Sequence, residues 1–230
     1  MALTRIRILS PNYSSRSGAK VRLIVLHTAE GATTYQSLGN YFSNPASQVS
    51  SHVGVDDTPN TVGEYVARDM KAWTAANANP VAVQAELCAF AKWDAAEWNR
   101  HPQMLQNTAQ WIKEEAAAFS IPLTRLTSAQ AQGNGIGICQ HSDLGAWGGN
   151  HWDCGPAFPI DYVIQLAQGS TPDEEEQEMV IVRAPNGAMS MFDGYRKVGL
   201  VSTADASAFQ NAGIKTVNLS QNQYDRIPNQ

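Results

Sequence analysis

The chain has 230 residues, 43% of them hydrophobic and 16% charged, with a formal net charge of −5. That balance excludes an intrinsically disordered chain, and the acidic total argues against a nucleic-acid binder. No apolar run reaches the roughly 18–20 residues of a membrane span, which argues against membrane insertion.

The first residues, Met-Ala-Leu-Thr-Arg-Ile-Arg-Ile-Leu, include basic side chains but no apolar stretch long enough for a signal peptide. The expectation is a protein made in the cytoplasm without a Sec leader. Three cysteines (Cys88, Cys139, Cys154) are too few for a disulfide framework; they leave room for one bridge, and reduced thiols are the default expectation. Composition leaves the oligomeric state open.

Residues 1–20 are polar and read as an irregular lead-in with a short strand. Val21 to Leu26 is an apolar run ending at His27 and reads as a buried strand. Thr33 or Thr34 is placed to cap a helix with Leu38, Tyr41 and Phe42 on its apolar face, ending near Asn44-Pro45. Ser51 to Val55 reads as a strand, Asp56 to Asn60 as a turn, and Glu64 to Ala67 as the returning strand. After a polar loop, Thr74 to Asn79, the run Val81 to Phe90 is a central strand carrying Glu86. Pro102 to Phe119 is the clearest helix, with Met104, Leu105, Thr108, Trp111, Ile112 and Phe119 on one face and Lys113, Glu114 and Glu115 off it. Ile136 to Gln140 is a short strand ending at His141, and Asp161 to Leu166 is a closing helix. Strands alternating with helices and interrupted by a hairpin predict an α/β domain over 1–168, with a central mixed β-sheet flanked by helices.

A composition break follows. The stretch 169–178 holds five acidic residues and no basic one, and reads as a linker. Residues 179–230 carry five basic and three acidic side chains. There, Met179 to Arg183 and Ala188 to Phe192 flank Pro185-Asn186-Gly187, a strong hairpin signal. Tyr195 to Val201 is a third strand and Ala204 to Ala212 a short helix. This small C-terminal β-rich module is near the lower size limit for independent folding.

The chemistry gathers in the loop between Gly137 and Pro156, which holds His141, Asp143, His151, Asp153 and Cys154 between two ordered elements. Catalytic zinc wants three protein ligands and one open position. His27 and His141 are candidates for two of them. Asp153 and Cys154 are adjacent, point different ways, and are both chemically acceptable as the third. Asp143 is either a partner that orients a ligand or a turn-former. Glu86 sits among apolar neighbours, where an unpaired carboxylate is costly and its pKa rises toward values useful in proton transfer. His52 reads as structural or cleft-lining, and His101, before Pro102, as a surface residue.

Taken together, the strand ending in His27-Thr-Ala, Ser51-His52-Val-Gly-Val-Asp56, Ala72-Trp73, Ala85-Glu86-Leu87 and His141…His151-Trp-Asp153-Cys-Gly155-Pro156 resemble the zinc-dependent N-acetylmuramoyl-L-alanine amidases. These enzymes share a fold with the peptidoglycan recognition proteins. The likeness spans about residues 20–168; each piece is short, and their order and spacing carry it. In that family a strand-terminal His, a later loop His and an Asp or Cys shortly before a Pro bind one zinc ion. The frequent family ending Asp-Pro-Gly-Pro aligns with Asp153-Cys154-Gly155-Pro156, so the resemblance implies His27, His141 and Asp153 as ligands of one Zn2+. It also implies Glu86 as the proton-transferring carboxylate and His151, where the family has Lys or His, as the oxyanion donor. Trp73, Trp147 and Trp152 are expected to line a substrate groove. Two departures stand out: Ser51 replaces a Tyr found in some members, and Thr74 replaces a His found in many.

The implied reaction is hydrolysis of the amide between N-acetylmuramic acid and the first L-alanine of the stem peptide. The implied partner is bacterial peptidoglycan. A catalytic domain without a signal peptide, joined to a small module, looks like a phage endolysin that waits in the host cytoplasm until the membrane is breached. The alternative is a non-catalytic peptidoglycan-binding member of the same fold; a third is a regulator that binds a protein partner.

Overall fold

The computed structural model describes residues 2–169, 180–192, 197–199, 207 and 216–227. Two compact units are present, Met1–Ser170 and Thr171–Gln230.

In the first unit, strands β1 (Thr4–Arg7), β3 (Leu23–Thr28), β4 (Val53–Val55), β5 (Thr61–Glu64), β7 (Ala82–Leu87) and β8 (Gly137–Gln140) form one sheet in the order β1-β5-β4-β7-β3-β8. A minor pair joins β2 (Tyr13–Ser14) to β6 (Lys71–Ala72). The central strands β4, β7, β3 and β8 run parallel, β5 is antiparallel to β4, and β1 is parallel to β5. The sheet is therefore mixed, as the sequence pattern predicts. Every residue of β3 is buried, because both faces of the sheet are covered.

Side chains alternate strictly across that strand. Ile24 and Leu26 enter the larger core with Val83, Ala85, Ile138, Trp111 and Ile112. Leu23 and Val25 enter a smaller cluster with Ala82, Cys139, Leu126 and Leu144 on the other face. Continuing the alternation puts His27 on the side of Val25.

Helix α1 (Tyr35–Phe42) starts at Thr34, whose side chain accepts from the Ser37 backbone N–H. Short helices α2 (Ala95–Trp98) and α4 (Ser128–Gln132) and the turn α5 (Gly145–Gly148) connect the larger elements. Helix α3 (Pro102–Phe119) has the predicted bounds, with Pro102 where a missing N–H costs nothing, and packs with α6 (Ile160–Gln168) over the larger core.

One reading of α3 is corrected. Glu115 is not on the exposed face but 1% exposed, held by Arg5 and Arg68, each 3.0 Å from its Oε1. Spacing alone cannot show cations arriving from distant chain segments.

The returning strand is also shifted, to Thr61–Glu64 from the expected Glu64 to Ala67. Tyr65 leaves the ladder to bury its ring, and its hydroxyl donates to the Tyr35 carbonyl at 2.6 Å. Gly54 is required beside it, since a Cβ there would lie 2.1 Å from the Tyr65 hydroxyl. The central strand is shorter than expected and ends at Leu87. The polar stretch before it includes a 3-10 turn, Ala76–Val81, that buries Asn79.

Among its described residues, the second unit holds one four-stranded sheet. Strands β9 (Val180–Arg183) and β10 (Met189–Phe192) form the expected hairpin around Asn186-Gly187. Strand β11 (Lys197–Gly199) pairs with β10, and β12 (Thr216–Asn218) runs parallel to β9. A helix, Gln221–Arg226, opens with a Ser220/Gln223 capping box and buries Tyr224 against Val182 and Ala184. The expected linker beyond Gly169 and nearly all of the expected helix 204–212 lie outside the described residues.

Candidate metal centre

The carboxyl ends of β3, β7 and β8 lie side by side, where ligands bind in open α/β sheets. β3 carries His27, β7 carries Glu86, and His141 follows β8 directly. The parallel register pairs His27 with Glu86 and Val25 with Gln84.

The imidazoles of His27 and His141 meet edge to face with ring centroids 4.4 Å apart, and their Nδ1 atoms are 2.9 Å apart. Asp153 completes the group. Its Oδ2 is 3.4 Å from His27 Nδ1 and its Oδ1 is 3.2 Å from His141 Nδ1. All three residues are buried, and one donor atom from each lies within 4.8 Å of the others.

The other nitrogen of each ring is already engaged. His141 Nε2 lies 2.8 Å from the Gly148 carbonyl, which can only accept. His27 Nε2 lies 3.1 Å from Gln84 Oε1. With the carbonyl end of Gln84 turned to His27, both rings hold their proton on Nε2 and present a bare Nδ1 to the centre. Burial lowers the pKa of His27 and favours its neutral form. For Asp153, burial works to raise the pKa, but the adjacent His141 and His27 side chains outweigh it and hold the carboxyl below the usual range. Two bare nitrogens and a carboxylate converging this closely repel one another unless a cation is shared among them. The donor set thus fits a metal ion.

Asp153 is held by its loop. Its carbonyl accepts from the Ser142 backbone N–H at 2.8 Å. Gly155 adopts φ +90°, and a Cβ there would fall 1.9 Å from the Ala91 carbonyl oxygen. The alternative ligand, Cys154, points into the larger core and is fully buried. Burial, with Asp153 and other acidic neighbours, pushes its thiol pKa well up. Cys154 is a packed thiol, and all three cysteines are free.

The centre opens into a cleft of about 560 Å³ whose walls include Glu30, Tyr41, Trp73, Glu86, His151 and Asp153. Glu86 is half-buried, and its Oε2 has no hydrogen-bond partner. Burial, then the charges of Asp153 and Glu30, raise its pKa to about 8. His151 stacks on His141 with centroids 4.4 Å apart and planes 8° from parallel, and its Nδ1 is 3.8 Å from Asp153 Oδ1.

The three tryptophans separate. Trp73 lines the cleft, with its indole N–H donating to Ser14 Oγ at 3.0 Å. Trp152 is 58% exposed and is not among the cleft-lining residues. Trp147 packs on the smaller core under the Arg22 guanidinium, away from the cleft walls.

His52 is structural. Its Nδ1 accepts from the Gln84 backbone N–H, and burial and nearby Arg16 depress its pKa to about 3. His101 pairs with Asp57 and stacks on Trp93. Asp143 caps the turn after β8, accepting from the Gln140 N–H and Ser128 Oγ, and does not orient a ligand.

Sequence reading passed over Gln84 and Glu30. Gln84 sits two residues before Glu86 and so shares its face of the strand, a signal legible at period two. Glu30 has φ +56° and accepts from Thr28 Oγ1 and the Ala91 N–H; no sequence pattern announces that turn.

The fold is similar to that of the hydrolase AmiA from Staphylococcus aureus, with TM-score 0.57 and 20% identity over 74% of this chain and 84% of that one. It is also similar to AmpD, with TM-score 0.54 and 17% identity over 72% and 99%. A third similar structure is the endolysin amidase LysCS from Clostridium intestinale, with TM-score 0.50 and 13% identity over 74% and 97%. No curated protein matches the chain in sequence. Residues 17–156, more than half of the chain, match the family model of N-acetylmuramoyl-L-alanine amidases. With the buried His27/His141/Asp153 centre, the chain belongs to the N-acetylmuramoyl-L-alanine amidase family as a metal-dependent enzyme.

Proposed function

We propose that the cleft hydrolyses the amide between the lactyl group of N-acetylmuramic acid and the first L-alanine of the peptidoglycan stem peptide. The metal is zinc, held by His27, His141 and Asp153, a two-imidazole, one-carboxylate set suited to that ion. When bound, zinc supplies Lewis-acid polarisation of the scissile carbonyl and an acidified water.

The observation that carries this reading is Glu86. Its Oε2 has no hydrogen-bond partner, the residue lines the cleft beside the three ligands, and burial holds its pKa above the ordinary carboxyl value. Glu86 takes the proton of the attacking water and gives it to the leaving amine of L-alanine. His151, stacked on His141 and mostly exposed to the cleft, donates to the oxygen that gains charge. Trp73 offers a flat wall to the sugar or stem, and Trp152, exposed next to His151 in the chain, is available to substrate outside the cleft. Trp147, committed to packing, has no part in this reading.

The biological setting we propose is that of a phage endolysin, acting on the wall from the host cytoplasm once the membrane is permeabilised. Membership of the amidase family and the pairing of a catalytic unit with a small module support it. Among the described residues, no helix is long and apolar enough to cross a membrane. The unit spanning 179–230, with its two-charge basic excess, serves wall attachment. Deleting 170–230 should then reduce pelleting with purified walls; unchanged pelleting counts against attachment. The cleavage itself is tested by mass spectrometry of digested peptidoglycan. Free stem peptides with an L-alanine amino terminus are expected, and intact muropeptides as the sole product would contradict it.

A further inference from the structure

The tautomer of His27 is decided outside the metal centre, by two amide side chains that reach no donor atom of it. An amide can meet an imidazole with either end, so the contact with Gln84 alone does not fix the proton. The neighbouring contacts do. Asn79 Oδ1 faces the backbone N–H groups of Thr74 at 3.1 Å and Ala75 at 2.6 Å, which can only donate. The Asn79 atom there is therefore the oxygen, and it has no proton to offer. Gln84 meets the same atom at 3.0 Å and must present its NH2 group to it. That turns Gln84 Oε1 toward His27 at 3.1 Å. The ring must then carry its proton on Nε2 and leave Nδ1 bare.

The relay is rigidly seated. Gln84 is fully buried and Asn79 is 9% exposed. The Asn79 backbone carbonyl accepts from Arg16 Nη1 at 3.1 Å. A free imidazole divides its proton between both nitrogens, so metal binding through Nδ1 ordinarily carries a tautomer cost. Here backbone N–H groups two side chains away remove it.

We propose that Asn79 and Gln84 are positioning residues that lock His27 in the Nε2–H tautomer and thereby set the metal affinity of the centre. This rests on the metal-centre reading, so the test separates the two. The 15N shifts of the His27 ring in the chelated full-length chain report the tautomer with no metal and no activity involved. Wild type should show a protonated Nε2 and an unprotonated Nδ1, and Gln84→Leu a mixture.

Zinc titration of the same proteins should give about 10- to 100-fold weaker binding for Gln84→Leu. Asn79→Asp, which keeps an oxygen facing Gln84, should stay within about threefold of wild type and retain the tautomer. A mixed or Nδ1–H tautomer in wild type overturns the proposal, even if Gln84→Leu fails to fold. So does a Gln84→Leu protein with unchanged tautomer and affinity. If wild type shows the Nε2–H tautomer yet binds no zinc, the metal reading falls while the relay stands.

Discussion

His27 and Glu86 are direct register partners on the adjacent parallel strands β3 and β7. In a parallel pair, partners present their side chains to the same face. This pairing sets a metal-donor imidazole beside the carboxyl proposed to handle the proton, on scaffold strands buried from both sides. The site's two functions are thereby joined by a sheet ladder, which holds position better than a loop.

Replacing the carboxyl should separate the two functions. Glu86→Gln should lower kcat/KM by about 10²- to 10⁴-fold, the usual worth of a positioned acid–base group. Metal content should be unchanged, since Glu86 is not one of the three converging ligands. Loss of metal from Glu86→Gln would mean the carboxyl is a ligand.

The same residue gives a pH signature in the chelated protein. Its folded pKa of about 8 exceeds the ordinary 4.5, so the folded chain binds this proton more tightly than the unfolded one. The resulting stability is fully present below about pH 4.5 and is lost as pH rises through about 8. Glu86→Gln removes that loss. The difference in unfolding free energy between variant and wild type, from chemical denaturation, should grow between about pH 5 and pH 8, reaching about 2–4 kcal/mol. A pH-independent difference would show that burial does not destabilise the charged form.

Asp153 and Cys154 should behave oppositely. Asp153→Ala removes a converging carboxylate and should abolish metal binding. Cys154→Ala should keep the metal and lose only about 1 kcal/mol of packing, because its side chain lies in the core. Metal analysis of the two purified variants decides this.

His151→Ala should cut turnover by about 10²-fold with metal content intact, the scale expected for losing an oxyanion donor. His151→Lys, which restores a donor, should recover much of that rate. Equal activity in all three proteins would remove His151 from the mechanism.

Gly155→Ala tests the seat of the ligand loop. Its φ of +90° and the 1.9 Å approach of the added Cβ to the Ala91 carbonyl leave no room without backbone movement. Weaker metal binding and a loss of at least about 1–3 kcal/mol are expected from chemical denaturation.

The sequence made much of this arrangement legible. Apolar runs located the sheet, the Thr33-Thr34 pair and Pro102 the starts of α1 and α3, and the Gly-rich loop the ligands after β8. What stayed hidden depends on contacts between distant segments. Glu115 looked solvated because its partners Arg5 and Arg68 arrive from elsewhere. The strand after the Asp56 turn was displaced because Tyr65 prefers a buried pocket beside Gly54 to a place in the ladder. Trp147 looked like a groove residue because an aromatic in a glycine-rich loop has no period to show that it packs inward. Residue chemistry alone left Asp153 and Cys154 open; the family resemblance pointed to Asp153, which lies with His27 and His141 while Cys154 packs in the core.

The most direct test is release of free amino groups from purified peptidoglycan by wild type, Glu86→Gln and Asp153→Ala, with zinc content measured on each. The account predicts that wild type cleaves and holds one zinc ion, Glu86→Gln holds zinc without cleaving, and Asp153→Ala does neither. Wild type that binds walls without releasing amines would contradict it.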